Sequence, residues 1–162
     1  RVARRVVRAA DSAARFLPWD PYGYDERQFC SPGFDLPYGR LSRTPNSRYP
    51  EYHTSGDDLS FITPESLAHS LDALIAIVEG FEQNARYLNL SPKGEPRLGP
   101  RGLFNMKHGL PPGRYEHALL WMLNQSDGQR DVLSIAERSK IDLATLDAAA
   151  QALVTAGLLR KL

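Results

Sequence analysis

The residues with the clearest chemical potential stand in the run Tyr49-Pro50-Glu51-Tyr52-His53-Thr54-Ser55-Gly56-Asp57-Asp58. It places one histidine in a polar loop beside hydroxyls and carboxylates. A metal-bound imidazole keeps such company, because its second ring nitrogen must be held by an oxygen acceptor. The alternative is a solvated histidine in a Ser/Gly/Asp turn. Asp57 would then either orient His53 or cap the turn that follows it. A second cluster lies upstream, Tyr24-Asp25-Glu26-Arg27-Gln28-Phe29-Cys30-Ser31-Pro32-Gly33. Its Glu26 can approach a cation or a substrate amine, or pair with Arg27 or Arg43. Arg43 has the fork geometry to clamp a substrate carboxylate, the alternative being a surface ion pair. Tyr49 and Tyr52 either line a pocket or pack. Cys30 is a soft ligand or a small buried apolar residue. His69, His108 and His117 have no ligand-like neighbours in sequence and read as surface or interface histidines.

The elements that must position these groups follow from periodicity. Residues 1–16 read as an amphipathic helix with Val2, Val6 and Ala9/Ala13 on one face, ended by Pro18 and Pro21. Residues 18–35 are rich in Pro, Gly and aromatics and read as a loop. Leu36 to Arg43 read as a short buried strand with Leu41 inward, and residues 43–58 return to loop. A helix follows over 64–87, with Thr63 as N-cap and Pro64 at its first position. Ile62 and Leu67 are spaced as a hydrophobic staple. Leu67, Leu71, Leu74, Ile75, Val78 and Phe81 form its apolar stripe. Strand, loop and helix in this order make an α/β unit, and such sheets bind ligands just past the carboxyl ends of their strands. His53 would stand there.

Residues 88–113 hold five Pro and five Gly, too many for a helix or central strand. They read as an extended arm whose Glu95, Arg97 and Arg101 pair with the body or with a partner chain, or as a solvated linker. Residues 114–162 read as a separate unit: helices over Tyr115–Asn124 and Val132–Ser139, a turn at Ser126-Asp127-Gly128, a third helix capped by Asp142 and ended by Gly157, and a strand over Leu158–Leu162. Three helices and a strand form a winged-helix pattern. From Arg114 onward six basic residues balance six acidic ones. The would-be recognition helix carries Asp142 and Asp147 and no Lys or Arg. DNA affinity rests on neutralised phosphates, so protein docking or a structural role is expected, and no nucleic acid.

The two clusters together resemble the zinc aminopeptidase superfamily, which includes leucyl aminopeptidases, glutamate carboxypeptidase and the transferrin receptor ectodomain. Tyr24-Asp25-Glu26-Arg27-Gln28-Phe29 sits where that superfamily has Ser-Asp-His-x-x-Phe/Trp. Tyr52-His53-Thr54-Ser55-Gly56-Asp57 matches its Tyr/Ile-His-Thr-x-x-Asp motif. The chain is closer still to a bacterial aminopeptidase-like subgroup long catalogued as a domain of unknown function. That subgroup shares Asp25 to Gly33, Tyr52 to Asp57, Gly94 to Leu103 and a C-terminal winged helix. The resemblance implies an α/β fold: the C-terminal part of a zinc-exopeptidase-like αβα domain over residues 1–87, the arm over 88–113, and the winged helix over 114–162. It implies that His53 is the last zinc ligand and that Asp25 supports the site by hydrogen bonding; Glu26, Arg43, Tyr52 and Asp57 are read from their own positions as candidates around the metal or substrate. Glu26 stands where the broad superfamily has His, and Tyr24 where it has Ser, which unsettles a superfamily role at those positions. The remaining ligands and the general base lie upstream in relatives, so the chain is expected to be a C-terminal piece of a longer protein.

Bulk composition narrows the alternatives. No run approaches the roughly 20 apolar residues of a transmembrane helix, and a net charge of +1 with mixed signs argues against a membrane-surface protein. The Arg-rich start could be read as a transit peptide, but the bacterial-looking motifs favour the C-terminal piece. A single cysteine forbids an internal disulfide and fits a reducing cytoplasm. The expected function is hydrolysis of a peptide or related amide bond by a zinc-dependent parent protein, with the fragment alone inactive. The alternative is a non-catalytic binding protein on the same scaffold, with the winged helix used for protein contact. Homo-oligomer formation through the arm or the winged helix is a further expectation.

Overall fold

The computed structural model describes residues 1–105 and 113–162; His108 and the stretch around it lie outside them. The chain divides into two compact units, one of residues 1–10 with 73–162, the other of residues 11–72. In chain order the elements are α1 (Val2–Ala10), α2 (Asp25–Phe29), α3 (Pro64–Glu82), β1 (Arg86–Asn89), α4 (Arg114–Gln125), β2 (Asp127–Asp131), α5 (Val132–Ser139), α6 (Leu143–Thr155) and β3 (Leu159–Lys161).

The first unit is a winged helix-turn-helix on a three-stranded antiparallel sheet of order β2-β1-β3. β1 lies in the middle, pairing Arg86 with Asp131 on one side and Tyr87, Leu88 and Asn89 with Lys161, Arg160 and Leu159 on the other. The boundary expected after residue 87 thus falls inside this strand. Leu119, Met122, Leu133, Ile135, Leu146 and Leu153 are all 0–1% exposed and form the core. Three periodic apolar faces converge there, and burying each such side chain contributes roughly 1.5–3 kcal/mol. Tyr87 joins them with its hydroxyl accepting from Gln151 at 3.2 Å.

In the segment expected to be an arm or a solvated linker, two of the described residues are packed. Leu98 and Leu103 are fully buried in the same core. Short 3-10 turns at Gly99–Arg101 and Leu103–Asn105 bracket Gly102, whose φ of +75° suits glycine. Arg101 donates to the Ala156 carbonyl at 3.4 Å.

α1 is shorter than expected, stopping at Ala10 rather than running to residue 16. Asp11 breaks it by accepting from the Ala13 amide at 2.8 Å, an Asx-type bond that competes with helix. The predicted Val2/Val6 face forms, and it meets α3 at Gly80. A Cβ there would stand 2.8 Å from Val2 Cγ1 and 3.4 Å from Val6 Cγ2, so a mid-helix glycine permits this close approach. Arg1 ties α1 to α5 through Glu137 at 2.8 Å and to Asp131 at 3.4 Å.

Helices α5 and α6 begin as their sequences dictate. Asp131 accepts from the Ser134 amide and Asp142 from the Thr145 amide, each at 2.8 Å. Burial resists ionisation of Asp142, but the Thr145 amide and hydroxyl, with help from Arg114, outweigh it and hold the carboxyl below its usual range. Such a depressed carboxyl stabilises the fold above its unfolded pKa of about 3.9 and stops doing so as pH falls through the lower folded value. Asp142→Ala is expected to cost about 1 kcal/mol near neutral pH. Thermal melts of both proteins at pH 7 and in acid check this: the gap in Tm should narrow in acid.

The second unit, residues 11–72, has no strand and no fully buried residue. The buried strand expected over residues 36–43 does not form, and Leu41 is 45% exposed rather than inward. The reason is physical: Pro37 lacks a donor, and no neighbouring strand is present among the described residues to complete a ladder. The αβα arrangement expected from the resemblance is not seen among the described residues. Aromatic contacts and turns hold the unit together. α3 starts as predicted, with Thr63 Oγ1 accepting from the Ser66 amide at 3.1 Å, but ends at Glu82 rather than at residue 87. Its apolar stripe forms but stays uncovered: Leu67, Leu71, Leu74, Ile75, Val78 and Phe81 are each 47–61% exposed.

Candidate functional site

The loop around His53 is organised by Thr54. Its hydroxyl donates to the Glu51 carbonyl at 2.8 Å and accepts from the Gly56 amide at 3.2 Å, while its own amide donates to Glu51 at 3.0 Å. The Asp57 amide closes the turn onto the Thr54 carbonyl at 3.2 Å. This geometry puts His53 in the left-handed region, at φ +59°, where histidine is more frequent than most residues but still costs energy. Asp57 thus closes the turn through its backbone. No hydrogen bond joins its carboxylate to His53 among the described residues.

The imidazole of His53 is exposed and stacks on the Tyr52 ring, with centroids 3.9 Å apart and planes 15° from parallel. Tyr52 meets Tyr49 edge-on at 5.6 Å, and Tyr49 stacks on Phe61 at 5.5 Å. The Tyr52 hydroxyl lies 3.1 Å from that of Tyr24. This bond, then desolvation and the neighbouring tyrosines, raises the Tyr52 phenol above its usual pKa. The two sequence clusters therefore meet at one point, through Tyr24 and Tyr52. Tyr24, which stands where the superfamily motif has Ser, is the residue that joins them.

Glu26 pairs with neither Arg27 nor Arg43, the two partners considered from sequence. Its carboxylate accepts from the Tyr24 amide at 3.2 Å and faces Arg40 at 3.7 Å. The carboxyl is held below its usual range, chiefly by a hydrogen bond from its own amide. Desolvation opposes this; the Tyr24 amide, then Arg40 and Arg27, support it. Nothing in the local sequence singled out Arg40, because a chain reversal brings it back to α2. Asp25 opens the first turn of α2.

Arg43 makes no ion pair among the described residues. Its guanidinium donates to the Ser66 carbonyl at 2.8 Å and to His69 Nδ1 at 3.0 Å. A guanidinium has no lone pair to offer, so Nδ1 must be the acceptor and His69 holds its proton at Nε2. His69 is thus a structural partner of Arg43, where sequence alone left it without neighbours. Cys30 is half-buried and donates its thiol to the Leu36 carbonyl at 3.2 Å, which makes it a packed thiol rather than a free ligand.

A tetrahedral zinc site needs three or four N, S or O ligands on one point. Among the described residues no three His, Cys, Asp or Glu side chains come together in that way. His53, exposed on its turn, is a single donor. The residues described do not by themselves fit the metal.

Comparison with known proteins adds independent information. Residues 1–84 match the family model for a domain of unknown function, DUF4910, and residues 85–161 match a winged helix-turn-helix model. The chain is 41% identical over 148 residues to a Clostridium acetobutylicum protein named "Putative polysaccharide biosynthesis protein with aminopeptidase-like domain". That alignment takes in 91% of this chain and 33% of the relative. A crystal structure titled as a "putative peptidase" from Clostridium acetobutylicum superposes on 99% of the chain with a TM-score of 0.79 at 34% identity, covering 35% of that structure's chain. The chain therefore spans about a third of the length of the proteins it matches.

Proposed function

This chain belongs to the DUF4910 family, and we propose that it forms the C-terminal part of an aminopeptidase-like hydrolase that cleaves a peptide or related amide bond. One observation carries the reading: a crystal structure described as a "putative peptidase" is alike over 99% of the chain at 34% identity, in keeping with the aminopeptidase-like domain named for the Clostridium acetobutylicum sequence match. In such a reaction water adds to the amide carbonyl carbon, the C–N bond breaks, and the amine departs with a proton.

This chain's contribution is the organised loop. The Thr54 turn presents His53 outward, the Tyr24–Tyr52 pair fixes the ring on which it stacks, and Glu26, its carboxyl held below the usual range, accepts from the amide of that same Tyr24. His53 is the residue this chain would offer to a zinc ion, with the other ligands and the general base supplied from outside residues 1–162. The substrate would be a peptide or another small amide.

The chain by itself is accordingly expected to be inactive. Leucine 4-nitroanilide incubated with the purified 162-residue protein should release 4-nitroaniline no faster than buffer, with or without added zinc. Turnover by this chain would overturn the division of labour proposed. A second reading is a non-catalytic binding protein on the same scaffold. It predicts that the natural protein containing this chain is also inactive.

A further inference from the structure

The winged-helix unit carries a cleft of about 600 Å³ between the segment after β1, the outer face of α4 and the start of β2. We propose that it is a binding site for an organic cation, a ligand bearing an alkylammonium group. Three observations support this. First, its lining includes Glu95 and Asp127 and no Lys or Arg. Asp127 is already occupied: it accepts from the Gln129 and Arg130 amides and pairs with the Arg130 side chain. Glu95, exposed and with no ion pair among the described residues, is the carboxylate left for a ligand.

Second, Trp121 and His117 form an aromatic corner on the same wall, with ring centroids 6.2 Å apart and planes inclined by 57°. The negative face of an indole attracts a cation placed within about 6 Å of it, by roughly 0.5–2 kcal/mol. Third, Ser126 lines the cleft at 4% exposure, and its Oγ is buried with no hydrogen-bond partner among the described residues. A buried hydroxyl left unpaired costs about 1–3 kcal/mol, and such orphans in native folds call for an explanation. An ammonium carries three donors and no acceptor, so it can give one to Glu95 while resting on Trp121, and a second to Ser126 once that side chain turns from its buried position toward the cleft it lines. A phosphate or carboxylate ligand would meet the Glu95 carboxylate and no Lys or Arg of the lining.

The test uses the whole chain with Trp19→Phe, leaving Trp121 as the sole indole. The probe is 1,5-diaminopentane, and the neutral comparator is 1,5-pentanediol. The diamine is expected to change Trp121 emission saturably at millimolar concentration. Glu95→Gln should weaken that response about tenfold, since it removes the one free charge in a half-screened site. Glu65→Gln, outside the cleft, should leave it unchanged. Three results would each overturn the assignment: no saturable change up to about 10 mM, an equal response to the diol, or a full response in Glu95→Gln.

Discussion

Leu119→Ala is expected to destabilise the winged-helix unit by about 2–5 kcal/mol. Leu119 is completely buried on α4, within the core that α6, the sheet and the Pro/Gly-rich segment share. Several elements close around it, so none can collapse into the cavity without loosening its contacts with the others. A loss of that size is a large fraction of the roughly 5–15 kcal/mol that holds a typical domain folded. Urea unfolding followed by circular dichroism measures it directly. A change below about 1 kcal/mol would mean that α4 is not seated as described. Leu120, its neighbour on the outer face, is 37% exposed, so Leu120→Ala supplies the contrast and should stay within a fraction of that cost.

His53→Ala, made in the natural protein that contains this chain, is expected to lower amide hydrolysis by about 100-fold or more. Replacing a group that merely orients a metal ligand typically costs 10–100-fold, and a direct ligand should cost at least as much. Tyr52→Phe separates the contributions. It keeps the ring on which His53 stacks at 3.9 Å and removes only the hydroxyl shared with Tyr24, so it should retain most of the activity. If His53→Ala and Tyr52→Phe behaved alike, His53 would be a packing residue of an aromatic cluster and not a functional ligand.

The winged helix was largely legible in the sequence because its signals are local. The α5 span, the Asp142 cap and the Gly157 stop (φ +69°) all coincide with the structure. The two missed strands were not local. β2 reads Asp-Gly-Gln-Arg-Asp, with no apolar alternation, and is a strand only because it pairs with β1. β1 is four residues placed just after a long helical pattern, so its period merges with that of α3. Leu98 and Leu103 show the opposite effect. Their Pro/Gly surroundings imply a solvated arm, yet tertiary packing buries both.

The candidate site was legible as a pair of motifs but not as a geometry. The sequence brought Tyr24–Glu26 and Tyr52–Asp57 into one argument, and the Tyr24–Tyr52 contact joins them in space. The side-chain partners were a different matter. Arg40 finds Glu26, and Arg43 finds Ser66 and His69, because chain reversals set those distances and no spacing rule encodes them. The strand over 36–43 failed for a related reason. A lone extended segment has no ladder to join, whatever its side chains prefer. The uncovered stripe of α3 shows that periodicity specifies a helix face without specifying what packs on it.

The most direct test of the central claim is an exopeptidase assay on the natural protein containing this chain. The purified protein would be given a short peptide with a free N-terminus and the same peptide N-acetylated, with released amino acids followed by mass spectrometry. An aminopeptidase-like hydrolase releases the first residue of the free peptide and leaves the acetylated one intact. No release from either, across a panel of N-terminal residues, would contradict the hydrolase reading and leave the binding-protein reading in its place.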